Sequence, residues 1–270
     1  MSLGRQTTLL TTLQVSPELH PKKHPPNIMP STISGNNESE KNRPEQWKYW
    51  NIFKDELDSY SEDEYLESVR DIVESCESEV VNVARSNGKN VSQVKRKVAG
   101  DYFQAIVFRA IVDKATDSGF RALLNRESLQ SIPGLSDAIP DYQGIELKPD
   151  LDIVLYRPDA DDPIYIFSCK TSFRERLGQT GMWKLFYEVA RHSCSDPECP
   201  SHRLSLSGDM SRTFKTGFIT IDWYGEVESD NIAKVLDLGY TSSADSVDRS
   251  NNIYPLAEIK SHIANRWDHL

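Results

Sequence analysis

The sequence predicts a mixed α/β domain with a helical N-terminal part, and three observations carry that prediction. From Asp63 to about Ala115 apolar residues recur at helical spacing. After Asp141 the period changes, and DIVLY, IYIFSC and FKTGFITIDWY read as β-branched and aromatic strands. Helical segments lie between and after those strands, which is the interleaving of a layered α/β domain. No internal repeat is visible.

The elements follow in chain order. Residues 15 to 46 are rich in Pro, Ser, Asn and charge. They cannot bury enough apolar surface to offset their ordering entropy, so residues 1–46 read as a flexible arm. The aromatic cluster EQWKYWNIF marks the start of the folded body, and residues 47–90 form the N-terminal helical region. Tyr65, Val69, Ile72, Val73, Val80 and Val83 place a helix over Asp63 to about Arg85, closed by the break SNGKN. Asn90, with Gln93 three residues on, is the N-cap of a second helix running to about Ala115. Gly100 inside that helix predicts close packing or approach to another backbone. DIVLY and IYIFSC, separated by the turn signal RPDADDP, form a β-hairpin. A helix over roughly Thr180 to His192 follows, then the strand FKTGFITIDWY, then a short strand feeding a C-terminal helix in IYPLAEIKSHIANRW.

Composition narrows the function classes. No run approaches the roughly 18 apolar residues of a membrane span. MSLGRQTTLLTTLQVSPELHPKK lacks the pattern of a secretory signal. Four scattered cysteines do not make a disulfide framework, so the expected location is a reducing cytoplasm. The net charge of −10 argues against coating nucleic acid through bulk charge. An enzyme acting on DNA stays open, because phosphate affinity needs only a local basic surface and metal sites need carboxylates.

With the hairpin turn centred near Ala160, residues equidistant from it face each other across the two strands. Asp152 then sits opposite Ser168 and Asp150 opposite Lys170, all four on one face of the sheet. Carboxylates beside an ammonium at a strand end suit a divalent metal and a phosphodiester. From spacing alone, the frayed polar ends of a surface hairpin account for the pattern equally well.

The order Pro149-Asp150-Leu151-Asp152, a turn, Ser168-Cys169-Lys170-Thr171-Ser172 and then Arg174-Glu175-Arg176 resembles a known signature. It is similar to that of PD-(D/E)XK type II restriction endonucleases of the CCGG-recognising group, in the variant where Ser replaces the carboxylate before the Lys. Within that group it most resembles the BsaWI- and AgeI-type enzymes. The close match covers about residues 149 to 188, and the order of elements extends it to about 92 to 265. The resemblance implies a restriction-endonuclease-like mixed β-sheet flanked by helices, with residues 91–270 as the nuclease domain.

For the site, the resemblance implies one Asp at the start of the first hairpin strand. The pairing argument favours Asp152, with Asp150 a close second. Lys170 takes the role of the motif Lys. Because Ser168 supplies no charge, the resemblance puts the missing carboxylate on the helix after the Lys, where Glu188 is the available acid and the second candidate Mg²⁺ ligand. The separation from Lys170 is a few residues longer than the group's usual one. Related enzymes carry a further Glu in a G-x-x-x-E context. Here Gly100-Asp-Tyr-Phe-Gln104 offers Gln104 near the site without an assigned role, or Asp101 in its place. Arg174 and Arg176 could each donate two hydrogen bonds to a guanine and Glu175 could accept from a cytosine, so the segment would read adjacent C·G pairs from the major groove.

The implied activity is Mg²⁺-dependent double-strand cleavage of a CCGG-centred palindrome, with four-base 5′ overhangs. The implied partners are double-stranded DNA, a second copy of the chain on that DNA, and a methyltransferase protecting the host's own sites in a bacterial or archaeal cytoplasm. Two alternatives remain: a nuclease of the same fold without strict specificity, and a catalytically inert DNA binder, which Ser168 and Gln104 would favour.

A second constellation lies in RHSCSDPECPSHR. His192, Cys194, Cys199 and His202 have the residue types and close spacing of a tetrahedral Zn²⁺ site, which the resemblance does not supply. A zinc-stapled interaction protein is the reading in which that loop alone matters. Cys76 and Cys169 are expected to be small buried residues.

Overall fold

The computed structural model describes residues 49–124, 140–147, 151–157, 163–172, 177–192, 194–196, 198–206, 213–222 and 234–267. The expected arm, Asp150, the hairpin turn at 158–162 and Arg174, Glu175 and Arg176 lie outside the described residues.

The chain enters its core through α1 (Trp50–Leu57), which buries Trp50, Phe53 and Leu57 on one face. The single helix expected from Asp63 to Arg85 is two, α2 (Val69–Ser75) and α3 (Glu77–Ser86), meeting at the buried Cys76. Upstream of them Glu64 accepts from both the N–H and the hydroxyl of Ser61, at 2.8 and 2.7 Å. That local bonding holds a turn where the apolar spacing predicted helix. Next comes α4 (Val91–Asp117), with the Asn90 side chain accepting from the Gln93 N–H at 3.2 Å as its cap. It is apolar nearly all round because it runs between α2 and α3 on one side and the sheet on the other. A Cβ on Gly100 would meet nothing within 4 Å, so the expected close approach at that position is not there.

Six strands form the main sheet: β1 (Arg121–Leu124), β4 (Ile153–Tyr156), β5 (Ile164–Ser172), β7 (Phe214–Asp222), β8 (Leu238–Thr241) and β9 (Ile253–Pro255), in that spatial order. The first three are antiparallel, and β5, β7, β8 and β9 are parallel. The hairpin has the expected register, Ile153 facing Phe167 and Val154 facing Ile166. Alternation then sorts its side chains. Ile153, Leu155, Tyr165, Phe167 and Cys169 join the core shared with α4 and the N-terminal helices. Val154, Tyr156, Ile164 and Ile166 pack on the other face with Tyr187 of α5 (Leu177–Arg191). Gly217 in β7 leaves room for Phe167, whose ring carbons lie 2.5 Å from where a Cβ would stand.

A second sheet, in the order β3-β2-β6, joins β2 (Pro140–Tyr142), β3 (Ile145–Glu146) and β6 (Leu204–Leu206). Its β2–β3 hairpin turns through Gln143 and Gly144, both at positive φ (51° and 87°), the two-residue turn that matches strand twist. The C-terminal α6 (Ile259–Ala264) packs on α4. Trp267 stacks on Tyr165 at 4.0 Å and donates from Nε1 to the Tyr240 hydroxyl at 2.9 Å. The fold is therefore the mixed sheet flanked by helices, with a helical N-terminal part, that the sequence predicted. Among the described residues no helix is long and apolar enough to cross a membrane.

Candidate active site

Where β4 begins, its backbone is already paired to β5, because the Asp152 N–H donates to the Phe167 carbonyl at 3.0 Å. The alternation that buries Ile153 toward α4 turns Asp152 to the face of Ser168 and Lys170. Asp152 is 7% exposed. Its Oδ2 accepts from the Lys170 ammonium at 2.6 Å, the Cys169 N–H at 2.7 Å and the Ser168 hydroxyl at 3.4 Å. Its Oδ1 accepts from the Gln104 amide at 2.8 Å. A buried carboxylate is expensive unless charge and hydrogen bonds compensate it, and here α4 and β5 supply that compensation.

Gln104 ties these elements together, since its Nε2 also donates to the Cys169 carbonyl at 3.4 Å. Asp152 Oδ1 and the Cys169 carbonyl oxygen thus converge on one positively polarised donor. Two hard oxygens facing one point suit a divalent cation, and Mg²⁺ takes few protein ligands, filling its remaining positions with water and phosphate. Asp152 and the Cys169 carbonyl are the oxygens here that could serve as protein ligands to such a cation.

The other sequence candidates are placed differently. Glu188 is not brought to Asp152. It lies 11 residues into α5, about 16 Å along its axis. It pairs with Lys184 at 3.6 Å, and Lys184 pairs with Asp237 at 3.1 Å. Asp237 accepts from the Thr216 N–H at 2.8 Å, and Thr216 is four residues before Thr220, the β7 partner of Lys170. At about 3.3 Å per residue that is roughly 13 Å along the sheet. The neighbouring Tyr187 stacks on Phe214 at 4.2 Å, at the far end of β7. The helix starts at Leu177 and runs back along the strands, so its first turn lies nearest Lys170 and carries no acid. Asp101 pairs with Lys97 on the surface of α4. Cys76 and Cys169 are buried, as expected; burial pushes the Cys76 thiol up to about 12 and the Cys169 thiol well above its ordinary value.

Two features of this end of the sheet were missed. Thr220 is fully buried next to Lys170 and donates to the Asp222 carbonyl at 3.0 Å. The Asp222 carboxylate, two residues further on, is held by Arg70 of α2. Nothing local in DWY marks Asp222 as paired, because its partner is 152 residues away.

Away from this site, one ligand atom each of His192, Cys194 and Cys199 lie within 4.8 Å of one another. His202 stands apart from that group, its Nε2 2.9 Å from the Asp196 carbonyl. The Cys199 thiol is held below its ordinary value, chiefly by the Ser201 hydroxyl.

Residues 132–261, a little under half of the chain, match the family model described as BsaWI restriction endonuclease type 2. That stretch holds Asp152, Ser168, Lys170 and the Cys/His loop, and it begins after Gln104. No curated protein matches the chain. The family match supports a type II restriction endonuclease, a site-specific nuclease acting on DNA.

Proposed function

We propose that this chain is a Mg²⁺-dependent type II restriction endonuclease that makes double-strand cuts at a palindrome with a CCGG core, leaving four-base 5′ overhangs. The observation that carries the reading is the buried Asp152 carboxylate held 2.6 Å from Lys170 at the end of the hairpin, inside the family-matched region.

Asp152 and the Cys169 carbonyl would hold the cation, with Asp150 the sequence alternative to Asp152 in that role. When bound, Mg²⁺ polarises the scissile phosphate and makes water a competent nucleophile near neutral pH. Lys170, donating to Asp152 Oδ2, would present its ammonium toward the phosphate and stabilise negative charge that develops there. The Cys169 N–H and the Ser168 hydroxyl fix the carboxylate's orientation. Gln104 bridges Asp152 and Cys169, so α4 and the hairpin are held together. Arg174, Glu175 and Arg176, four to six residues after Lys170, read the C·G pairs and couple recognition to the catalytic strand. A palindrome calls for two copies related by a two-fold axis. A separate methyltransferase protecting host sites completes the system.

A large, fully sequenced DNA is digested with purified protein in Mg²⁺ and in EDTA, and the ends are mapped by sequencing. Discrete Mg²⁺-dependent ends at CCGG-centred sites are expected. Cleavage without a common sequence would refute the role of Arg174, Glu175 and Arg176. Ser168 and Gln104, uncharged where the resemblance would put carboxylates, favour a second reading as an inert DNA binder. That reading requires equal DNA binding with and without Mg²⁺ and no cutting under any divalent metal.

A further inference from the structure

The loop between α5 and β6 carries side chains that the nuclease chemistry does not use. His192 follows the last residue of α5, with its N–H on the Val189 carbonyl at 3.1 Å. The loop then folds on itself: Asp196 accepts from the Glu198 N–H through its carboxylate at 2.9 Å and from the Cys199 N–H through its carbonyl at 3.0 Å. These bonds bring Cys199 back beside Cys194 and His192, so that one ligand atom of each lies within 4.8 Å of the others. A tetrahedral Zn²⁺ with Zn–S near 2.3 Å and Zn–N near 2.0 Å sets its ligand atoms roughly 3.3–3.8 Å apart. Each gap therefore closes by at most about 1.5 Å, which a half-exposed loop accommodates.

His202 sits in the 3-10 turn Pro200–Arg203, its N–H on the Cys199 carbonyl at 3.1 Å. A carbonyl oxygen only accepts, so the His202 Nε2 that faces Asp196 carries the proton and donates. That fixes the lone pair on Nδ1. Metal-binding histidines show the same arrangement, one ring nitrogen donating to a backbone carbonyl while the other ligates.

We propose that His192, Cys194, Cys199 and His202 form a structural Zn²⁺ site, the first three already gathered and His202 offering Nδ1 for the fourth position while Nε2 stays on the Asp196 carbonyl. The site clamps the end of α5 to the start of β6, and through the β6–β2 pairing it fastens the small sheet to the main domain. Soft thiolates select Zn²⁺ while the hard oxygens near Lys170 suit Mg²⁺, so the two centres are chemically distinct. The proposal does not depend on the nuclease reading.

The test measures metal directly. The full-length protein, purified without chelator and desalted, is assayed for zinc by elemental mass spectrometry, and its Co²⁺-substituted form is examined by visible absorption. One zinc per chain and the intense spectrum of a tetrahedral thiolate site are expected. Cys194→Ser and Cys199→Ser lose the metal, and His202→Ala lowers affinity at least about tenfold. Asp152→Asn, which alters the other centre, keeps the full zinc content. A protein holding no zinc with two titratable loop thiols overturns the proposal, as does a Cys194–Cys199 disulfide. Zinc kept by the double cysteine variant overturns it too, and undiminished affinity in His202→Ala overturns the four-ligand set.

Discussion

Replacing Asp152 by Asn separates the charge of this site from its hydrogen bonds. The three donors on Oδ2, from Lys170, Cys169 and Ser168, fix the retained oxygen of the Asn at that position. The new NH2 then faces Gln104, whose amide turns over to present its oxygen. What is lost is the charge assistance to Lys170, from roughly 1.5–3 kcal/mol for a charged bond to about 0.5–1.5 for a neutral one, together with the Gln104 bond to the Cys169 carbonyl, which the turned amide no longer makes. Asp152→Asn should therefore cost about 1.5–3 kcal/mol of stability. Asp152→Ala instead leaves the buried Cys169 N–H without its acceptor and weakens the bonding of Gln104, which keeps its Cys169 contact. At about 1–3 kcal/mol per stranded buried donor, its cost is roughly 2–4 kcal/mol. Adding Gln104→Leu to Asp152→Asn removes the acceptor of the new amide and costs a further ~1–3 kcal/mol. Urea unfolding of the variants measures these differences. Cleavage behaves otherwise: both variants lose the carboxylate that would hold Mg²⁺, worth several kcal/mol of transition-state stabilisation and thus at least about a hundredfold in rate. Equal destabilisation by Asn and Ala would refute the turning of Gln104. Cutting by Asp152→Asn at the unaltered rate would remove Asp152 from the chemistry.

Glu188→Gln should leave Mg²⁺-dependent cutting unchanged, because Glu188 pairs with Lys184 well away from Asp152; loss of cutting by a folded variant would return it to the metal centre. Arg174→Ala or Arg176→Ala should relax discrimination at one C·G pair by about 1–3 kcal/mol, read as new cleavage ends at near-cognate sites, whereas a uniform loss at all sites would mean a phosphate contact. Two glycines should respond with opposite signs in thermal unfolding. Gly100→Ala stabilises by about 0.5–1 kcal/mol because it meets nothing in mid-helix, and Gly217→Ala destabilises by about 1–3 kcal/mol because its Cβ collides with Phe167. His262 Nδ1 shares a hydrogen bond with the Tyr240 hydroxyl at 2.8 Å, and its pKa is lowered, first by desolvation, with Glu258 opposing and Arg249 adding to the shift. The unfolded chain therefore binds the proton more readily, so this stability is full above about pH 6.5 and is lost as pH falls below it. His262→Gln should flatten that slope in denaturation curves collected from pH 7 to 5.

The hairpin was legible because two independent signals agree on it. RPDADDP fixes the turn and alternation fixes the faces, so the opposition of Asp152 and Ser168 follows from counting. The cap of α4 was legible for a similar reason, since Asn90 and Gln93 act within one turn. Elements held only by distant partners were not. β8, LGYT, is four residues long and makes sense only between β7 and β9. The β2–β3 hairpin hid in DYQGIE because its turn uses Gln at a position with positive φ, where Asn or Gly is the familiar sign. The break at Cys76 was invisible to periodicity, which reports the buried face and not the continuity of the helix.

Glu188 marks where sequence reasoning reaches its limit. It was selected by elimination, as the available acid on a helix expected to start at Thr180, and elimination carries no direction. The helix starts three residues earlier and folds back along β7, which carries every residue past its first turn away from Lys170. A resemblance transfers a residue's role only if the intervening chain spans the same distance, and the longer separation from Lys170 was the signal that it does not. Gln104 gives the converse. It lies 48 residues before Asp152 and matched its motif less well, yet α4 delivers it onto the carboxylate at 2.8 Å. A helix packed across a sheet fixes its side chains against the strand ends whatever the sequence separation. Positions set by such packing survive a change of residue type better than positions set by counting along a loop. The site is thus held by α4, β4 and β5, and the middle of α5, where Glu188 pairs with Lys184, lies away from it.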